Sequence, residues 1–299
     1  MIQKNKIEPI YISIIVPFKN EEKRLEKTIK QIHDYANRQS FSCQLILSDS
    51  HSTDKSLEIA KKYAKEFEYI EYTEPKDERR GKGQAIQDGI GASKGKYILF
   101  MDADSSTEIF EVDKLLAHID KYDIVMGSRY IKEPRPYQSN YFKSIFHGVK
   151  SLIEVLIIGH SKDYMAKGKQ GRVRQFISRG GNLAFAVLLN QSYIDQRCGF
   201  KLYKAPVAHF LAGLQRIYHW GFDTEYLAIA QKYKLSTIEV PVDWFDVAEG
   251  ATVNPVKDSI SSFRDIFKVQ WNLISGKYNR KNARKMLGDL FEEVILNWK

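Results

Sequence analysis

Two aspartates one residue apart, Asp102 and Asp104, follow the run Tyr97-Ile98-Leu99-Phe100-Met101. An apolar run of that length closed by turn formers predicts a buried strand, and in open α/β sheets ligands bind beyond the carboxyl ends of strands. If the backbone stays extended through these residues, the two-residue period puts both carboxylates on one side and turns Ala103 inward. Like charges held that close repel, so a positive group is expected between them. Hard carboxylate oxygens suit Mg²⁺ or Mn²⁺, ions commonly held by one or two carboxylates plus substrate phosphates. For the pair alone, a strand-end cap in which Asp and Ser satisfy free backbone N–H groups is at least as good an account.

The elements that would position this pair recur as strand, polar loop and helix. Residues 11–16 are a β-branched run closed by Pro17, and Phe18-Lys19-Asn20-Glu21-Glu22 leads from it into a helical stripe at Leu25, Ile29 and Ile32. Residues 44–47 resume the strand pattern, and Ser48-Asp49-Ser50-His51-Ser52-Thr53-Asp54 gathers turn and cap formers before a helix with Leu57, Ile59, Ala60 and Tyr63. That unit builds a parallel sheet. Further strands are expected at residues 69–72 and 94–101, and at 123–126, where the last ends on Gly127-Ser128-Arg129. Arg79-Arg80-Gly81-Lys82-Gly83 opens a small-residue helix, and glycines around a lysine let backbone N–H groups and a cation approach phosphate. The spacing and ending of a nucleotide P-loop are missing.

The pattern changes after residue 130. Over residues 141–159, Phe142, Ile145, Phe146, Val149, Leu152, Ile153, Leu156 and Ile157 recur at helical spacing, which suits a core helix or one lying on a membrane surface. Residues 161–179 carry Lys162, Lys167, Lys169, Arg172, Arg174 and Arg179 against one acid, Asp163, with apolar anchors among them. Residues 182–189 read as strand or helix, and residues 195–202 break the pattern with charge, a glycine and an aromatic. His219-Trp220-Gly221-Phe222-Asp223-Thr224-Glu225 opens a helix, and residues 236–243 form a strand whose Pro241 argues for an edge or terminal position. An amphipathic helix over 260–275, a basic stretch and a short helix near 287–298 close the chain.

The 299 residues can bury a full core, and 43% hydrophobic composition is ordinary for a folded protein. A net charge of +9 points to an anionic partner, whether nucleic acid, lipid headgroup or phosphorylated small molecule. Cys43 and Cys198 lack metal or disulfide spacing, which fits a reducing compartment. The polar stretch 1–8 has no signal-peptide core, and no apolar run reaches the roughly 18 residues that span a bilayer. No helix-turn-helix signature or basic aromatic platform supports nucleic-acid binding.

Taken in order, these motifs resemble the family 2 glycosyltransferases of GT-A fold, in the branch of the dolichyl-phosphate β-glucosyltransferases and dolichol-phosphate mannose synthases. The resemblance runs from Tyr11 to about Lys277. It rests on Pro17 with Asn20-Glu21-Glu22, the Asp49-to-Asp54 loop, Arg80-Gly81-Lys82-Gly83, Asp102-Ala103-Asp104 and Gly127-Ser128-Arg129, followed by Asp195 to Phe200 and Trp220-Gly221-Phe222-Asp223-Thr224-Glu225. It implies a Rossmann-like, mostly parallel sheet flanked by helices, with a catalytic domain over 1–240 that includes the segment 141–179. A C-terminal helical extension over 241–299 would pack on it.

The resemblance also implies roles for individual residues. Pro17, Asn20, Glu22 and Asp49 would line the nucleotide, although Ser50 and His51 replace the usual second Asp and Gly. Asp54 suits a cap as well as a ligand contact. Lys82 would face the donor phosphates. Asp102, Ala103 and Asp104 would meet the donor through Mg²⁺ or Mn²⁺, with Ser106 standing where relatives offer a better ligand, glutamine. Arg129 would face an acceptor phosphate, with Lys143 as a second cation, while Asp195, Arg197, Asp223 and Glu225 would close over sugar and acceptor. A helix N-terminal role is the alternative for the last two.

The implied reaction is inverting transfer of a hexose, glucose from UDP-glucose for preference, to a polyprenyl or dolichyl phosphate. Mannose from GDP-mannose, or a soluble glycan or metabolite as acceptor, are the alternatives. Relatives of this branch usually carry a transmembrane anchor that is missing here, and residues 161–179 look longer and more basic than the corresponding region. A cytoplasmic protein held peripherally at an anionic membrane surface, on its cytosolic face, reconciles the two.

Overall fold

The computed structural model describes residues 9–75, 78, 81–137, 146, 149, 153, 188–191, 193–245 and 255–296. Arg80, Lys143, the segment 161–179 and most of the expected helix over 141–159 lie outside the described residues. An eight-stranded sheet forms the centre, in the order β3-β2-β1-β4-β7-β5-β8-β6. Its strands are β1 (Ile12–Phe18), β2 (Cys43–Asp49), β3 (Ile70–Thr73), β4 (Tyr97–Met101), β5 (Ile124–Ser128), β6 (Arg135–Pro136), β7 (Phe200–Lys204) and β8 (Thr237–Pro241). β1 pairs in parallel with β2 and β4, β2 with β3, and β5 with β8. β7 runs antiparallel between β4 and β5, and β6 is an antiparallel edge on β8.

Among the described residues the α-helices with given bounds are α1 (Leu25–Arg38), α2 (Ser56–Glu66), α3 (Lys82–Ala92), α4 (Val112–Ile119), α5 (Ala205–Leu214), α6 (Phe222–Tyr233), α7 (Pro255–Ile274), α8 (Arg280–Leu287) and α9 (Asp289–Leu296). Alternation along β1 sorts them into two layers. Ile12, Ile14 and Val16 point to a core shared with Ile29 of α1, Ala60 of α2 and Leu115 of α4. Ile15 points to the other face, where Ile86 of α3, Phe210 of α5, Tyr226 of α6, Ala283 of α8 and Phe291 of α9 pack. The period of two in a strand buried on both faces makes each layer continuous.

Three local expectations are corrected. β1 continues through Pro17 to Phe18, because its ladder with β4 already ends at Ile15–Phe100 and a missing N–H costs nothing there. Residues 195–202 read as a break in the sequence, yet Phe200–Lys204, which overlaps the end of that stretch, forms the strand at the centre of the sheet. The extended path assumed for Asp102 to Asp104 is absent: the strand stops at Met101, and a turn follows, with Ser105 N–H donating to Asp102 O at 3.4 Å and Ser105 at φ 52°. Pro241 is the last residue of β8, a terminal position.

The parallel strands bring the loops after β1, β2, β4 and β5 to one edge of the sheet. Because β7 is antiparallel and pairs Phe200 with Met101, the residues before it, 195–199, reach the same edge. Among the described residues no helix is long and apolar enough to cross a membrane.

Candidate active site

The loops after β1 and β2 clasp each other. Asn20, at φ 55°, accepts from Thr53 N–H at 2.8 Å, while its own N–H donates to Ser52 Oγ at 3.1 Å. Glu22 N–H donates to Asp54 Oδ2 at 3.1 Å, and Lys55 N–H returns a bond to Glu22 Oε2 at 3.2 Å. Asp54 also caps Ser56 N–H at 3.0 Å. Asp49, buried at the end of β2, accepts from Ser52 N–H at 3.1 and 3.2 Å. Each predicted nucleotide-side acid thus spends oxygen lone pairs on loop backbone, which fixes the loops beside one another.

The two carboxylates after β4 meet a cation supplied by the chain. Lys82 Nζ forms a short hydrogen bond and ion pair with Asp102 Oδ1 and lies 5.8 Å from the Phe100 ring and 5.5 Å from that of Trp220. Burial works against its charge, but Asp102 and Asp223 outweigh burial and hold the ammonium above the usual lysine range. Asp104 Oδ1 accepts from Ser106 N–H at 2.9 Å, and burial, then the charge of Asp102, push the Asp104 carboxyl upward. Thr28 Oγ1 donates to Ala103 O at 2.7 Å and lies 2.9 Å from Ser105 Oγ, which pins the turn to α1.

Lys82 balances one of the two negative charges, Asp104 remains an acid raised by burial beside Asp102, and the atoms the two side chains offer are hard oxygens. The residues present therefore fit Mg²⁺ or Mn²⁺. Among the described residues no three His, Cys, Asp or Glu side chains are grouped to hold a metal by themselves. Diphosphate and water oxygens would have to complete the shell.

Sequence reasoning covers the stretches that contain Glu21, Gly199 and Lys201 but gives these three residues no role. Glu21 is forked by Arg24 at 2.7 Å on both oxygens; burial raises its carboxyl, and Asp104 and Asp102 add to the rise. A methyl group at Gly199 would overlap the Asp102 carboxylate, so any larger residue there would force that side chain to turn away. Lys201, fully buried, donates to Gln196 O at 2.9 Å, Cys198 O at 2.7 Å and Asp223 Oδ1 at 2.8 Å, tying the 195–199 loop to α6. The Glu21–Arg24 spacing of three was the one readable signal among these. The glycines flanking Lys82 have a packing role: a Cβ at Gly81 would sit 2.6 Å from Tyr218 O, and one at Gly83 2.7 Å from Phe222 Cβ.

Arg129 and Asp195 are brought together. Arg129 Nε and Nη2 each donate to the Asp195 carboxylate at 2.7 Å, and its backbone N–H adds a bond at 2.9 Å. Burial would raise Asp195, but the Arg129 guanidinium more than offsets it and holds the acid below the usual range. Arg197 is close enough that, after burial, the charge of Arg129 also lowers its guanidinium. Asp223 faces this side of the site, and burial pushes its carboxyl up despite Lys201.

Glu225 faces away from the Asp102–Asp104 pair. It accepts from Arg216 N–H at 3.0 Å, from Ile217 N–H at 2.9 Å and from the Tyr278 hydroxyl, holding the loop that carries Trp220. Burial raises Glu225 to about 7, and Glu239, which accepts from Ile194 and Asp195 N–H at 2.9 and 2.8 Å, also to about 7. Both sit above the ordinary 4.5, so the folded protein binds protons that the unfolded chain has released. Their contribution is full below pH 4.5 and is lost as pH rises through about 7. Urea midpoints measured across that window should fall with rising pH, and Glu225→Gln with Glu239→Gln should flatten the slope.

The family model for glycosyl transferase family 2 matches residues 13–194. A dolichyl-phosphate beta-glucosyltransferase of Dictyostelium discoideum is 29% identical over 93% of this chain and 80% of its own length. The human protein of the same name is 27% identical over 92% of this chain and 79% of its own. Among solved structures, glucosyl-3-phosphoglycerate synthase from Mycobacterium tuberculosis with Mn²⁺, UDP and phosphoglyceric acid superposes with TM-score 0.58 at 16% identity, covering 90% of this chain and 79% of that one. The same enzyme with Mg²⁺ and UDP gives 0.57. At such identity the likeness is one of fold.

Proposed function

Since the chain belongs to glycosyl transferase family 2 and is a glycosyltransferase of GT-A fold, we propose that it moves glucose from UDP-glucose to a polyprenyl or dolichyl phosphate with inversion, using a divalent ion. The observation that carries this reading is the similarity to dolichyl-phosphate beta-glucosyltransferases over most of the chain, 93% of it for the Dictyostelium discoideum protein. The carboxylates after β4 give it a mechanism.

In this reading Asn20, Glu22 and Asp49, held by their clasped loops beside Pro17, bind the nucleoside. Asp102 and Asp104 would hold Mg²⁺ or Mn²⁺, while the Ser106 N–H orients Asp104. The ion would neutralise the charge that grows on the leaving diphosphate as the C1–O bond breaks. Lys82 adds a positive charge on the same side, fixed between two rings. The acceptor phosphate is largely ionised near neutral pH, its second pKa being about 6, so placement matters more than a strong base. Arg129, kept in a fixed orientation by Asp195, presents the cationic face for that phosphate, with Arg197 and Asp223 beside it. Attack on C1 from the side opposite the diphosphate turns an α-linked donor into a β-linked product. The reading includes a catalytic domain over 1–240 with a helical extension over 241–299, and peripheral association with the cytosolic face of a membrane.

Purified protein, Mg²⁺ or Mn²⁺, and undecaprenyl or dolichyl phosphate should convert UDP-glucose to a lipid-linked sugar, and a chelator should stop the reaction. GDP-mannose and soluble acceptors serve as competing arms. Absence of lipid-linked sugar from every donor would overturn the reading.

A further inference from the structure

Helix α7 is apolar on two opposite sides. On one, Ile266 and Val269 are buried in a cluster with Leu189, Ile217 and Ala228, and Asn272 donates to the Tyr278 hydroxyl at 3.0 Å. On the other, Phe267, Trp271 and Ile274 are 60%, 65% and 70% exposed. Steps of four and three residues put these three side chains on a single stripe. Isolated exposed hydrophobics are ordinary, but a stripe of three large ones, including a tryptophan, marks an interaction surface.

The charge around the stripe selects the partner. Between residues 264 and 286 the only acid is Asp265, and its carboxylate is occupied by Gly221 N–H at 3.2 Å. Against it stand Arg264, Lys268, Lys277, Arg280, Lys281 and Lys285, and α8 contains no acid. Arg284 is engaged by Glu292 at 2.6 Å. Apolar anchors with an interfacial tryptophan and a surround of cations match the chemistry of an anionic bilayer, where rings and aliphatic groups enter at headgroup depth and cations meet lipid phosphates.

We propose that the Phe267–Trp271–Ile274 face of α7, with the basic α8 following it, docks the protein on an anionic lipid bilayer. The proposal deepens the lipid-phosphate reading above by naming the surface that meets the membrane, and its test contains no sugar donor, so the two can fail separately.

Full-length protein should co-sediment with vesicles of mixed phosphatidylcholine and phosphatidylglycerol, far less with phosphatidylcholine alone, and tryptophan emission should shift to the blue on binding. Combining Phe267→Ser, Trp271→Ser and Ile274→Ser should weaken partitioning by on the order of tenfold or more. Lys281→Gln and Lys285→Gln should each cost roughly fivefold at low salt. All these side chains are exposed or on the exposed α8 face, and circular dichroism and the melting temperature should stay at wild-type values. Three outcomes overturn the proposal. The triple variant binds vesicles as tightly as wild type, which would assign contact elsewhere, for example to the exposed Phe146, Val149 and Ile153. Neutral and anionic vesicles bind equally. The protein ignores vesicles, and the triple variant instead dissociates an oligomer in sedimentation velocity, which would make the stripe an interface between copies.

Discussion

Asp102→Asn and Asp104→Asn are each expected to lower sugar transfer by on the order of 10²–10³ without unfolding the protein. Asparagine matches aspartate in size but removes the charge, the Asp102 side chain is 39% exposed, and Asp104, only half-buried, keeps an oxygen to accept from Ser106 N–H as asparagine. The stability cost should therefore be small. The catalytic cost should be large, because charge growing on the leaving diphosphate would lose half of the carboxylate pair that holds its counter-ion. The two variants should differ in a second readout. Asp102 is also the partner of Lys82, so Asp102→Asn frees that ammonium to face Asp223 and Asp104, whereas Asp104→Asn removes the acid that burial and Asp102 already push upward. Weaker Mn²⁺ binding by electron paramagnetic resonance in the presence of UDP, with unchanged melting temperature, would separate loss of the ion from misfolding. Undiminished transfer by either variant would remove the basis of the mechanism.

The strands that carry this pair were readable because β1, β2, β4 and β5 are short apolar runs followed by turn formers, a pattern local in sequence. β7 was not readable. Phe-Lys-Leu-Tyr-Lys looks half-exposed, yet Lys201 is fully buried, and its three acceptors come from Gln196, Cys198 and Asp223. Only one lies in another element, but without that element the lysine has no reason to be inside. The carboxylate pair itself was legible as a site, while its backbone was not: the turn at Asp102 depends on Thr28, far away in α1, reaching Ala103 O and Ser105. The glycines around Lys82 illustrate the same limit from the other side. Phosphate approach and close packing against residues 217–222 both demand glycine, and a sequence shows only the demand. Glu225 reads as a helix-start acid, and it is in the first turn of α6, but its oxygens turn back to Arg216, Ile217 and Tyr278.

Asp195→Ala should destabilise the fold by about 3–5 kcal/mol, the largest stability effect expected of a single substitution at the site. The carboxylate is 2% exposed and the guanidinium it holds 12% exposed, so the change leaves Arg129 buried with three donors that had satisfied one acid. The rings of Tyr130 and Trp244, 5.1 and 5.4 Å from the guanidinium, can offset part of that cost but accept no in-plane hydrogen bond. Removing both charges with Arg129→Met and Asp195→Leu should recover much of the loss, because desolvation and attraction vanish together. Asp195 is held below its ordinary value in the folded state, so the stability it supplies is present above pH 3.8 and disappears as pH falls through the folded value. Urea unfolding of the single and double variants at neutral pH measures the coupling. Arg129→Lys separates structure from acceptor binding: a lysine keeps the charge but loses the two-pronged contact. If Arg129 meets the acceptor phosphate, the KM for polyprenyl phosphate should rise more than the loss of stability explains while the KM for the nucleotide sugar stays put. A purely structural arginine would change both only through the amount of folded protein.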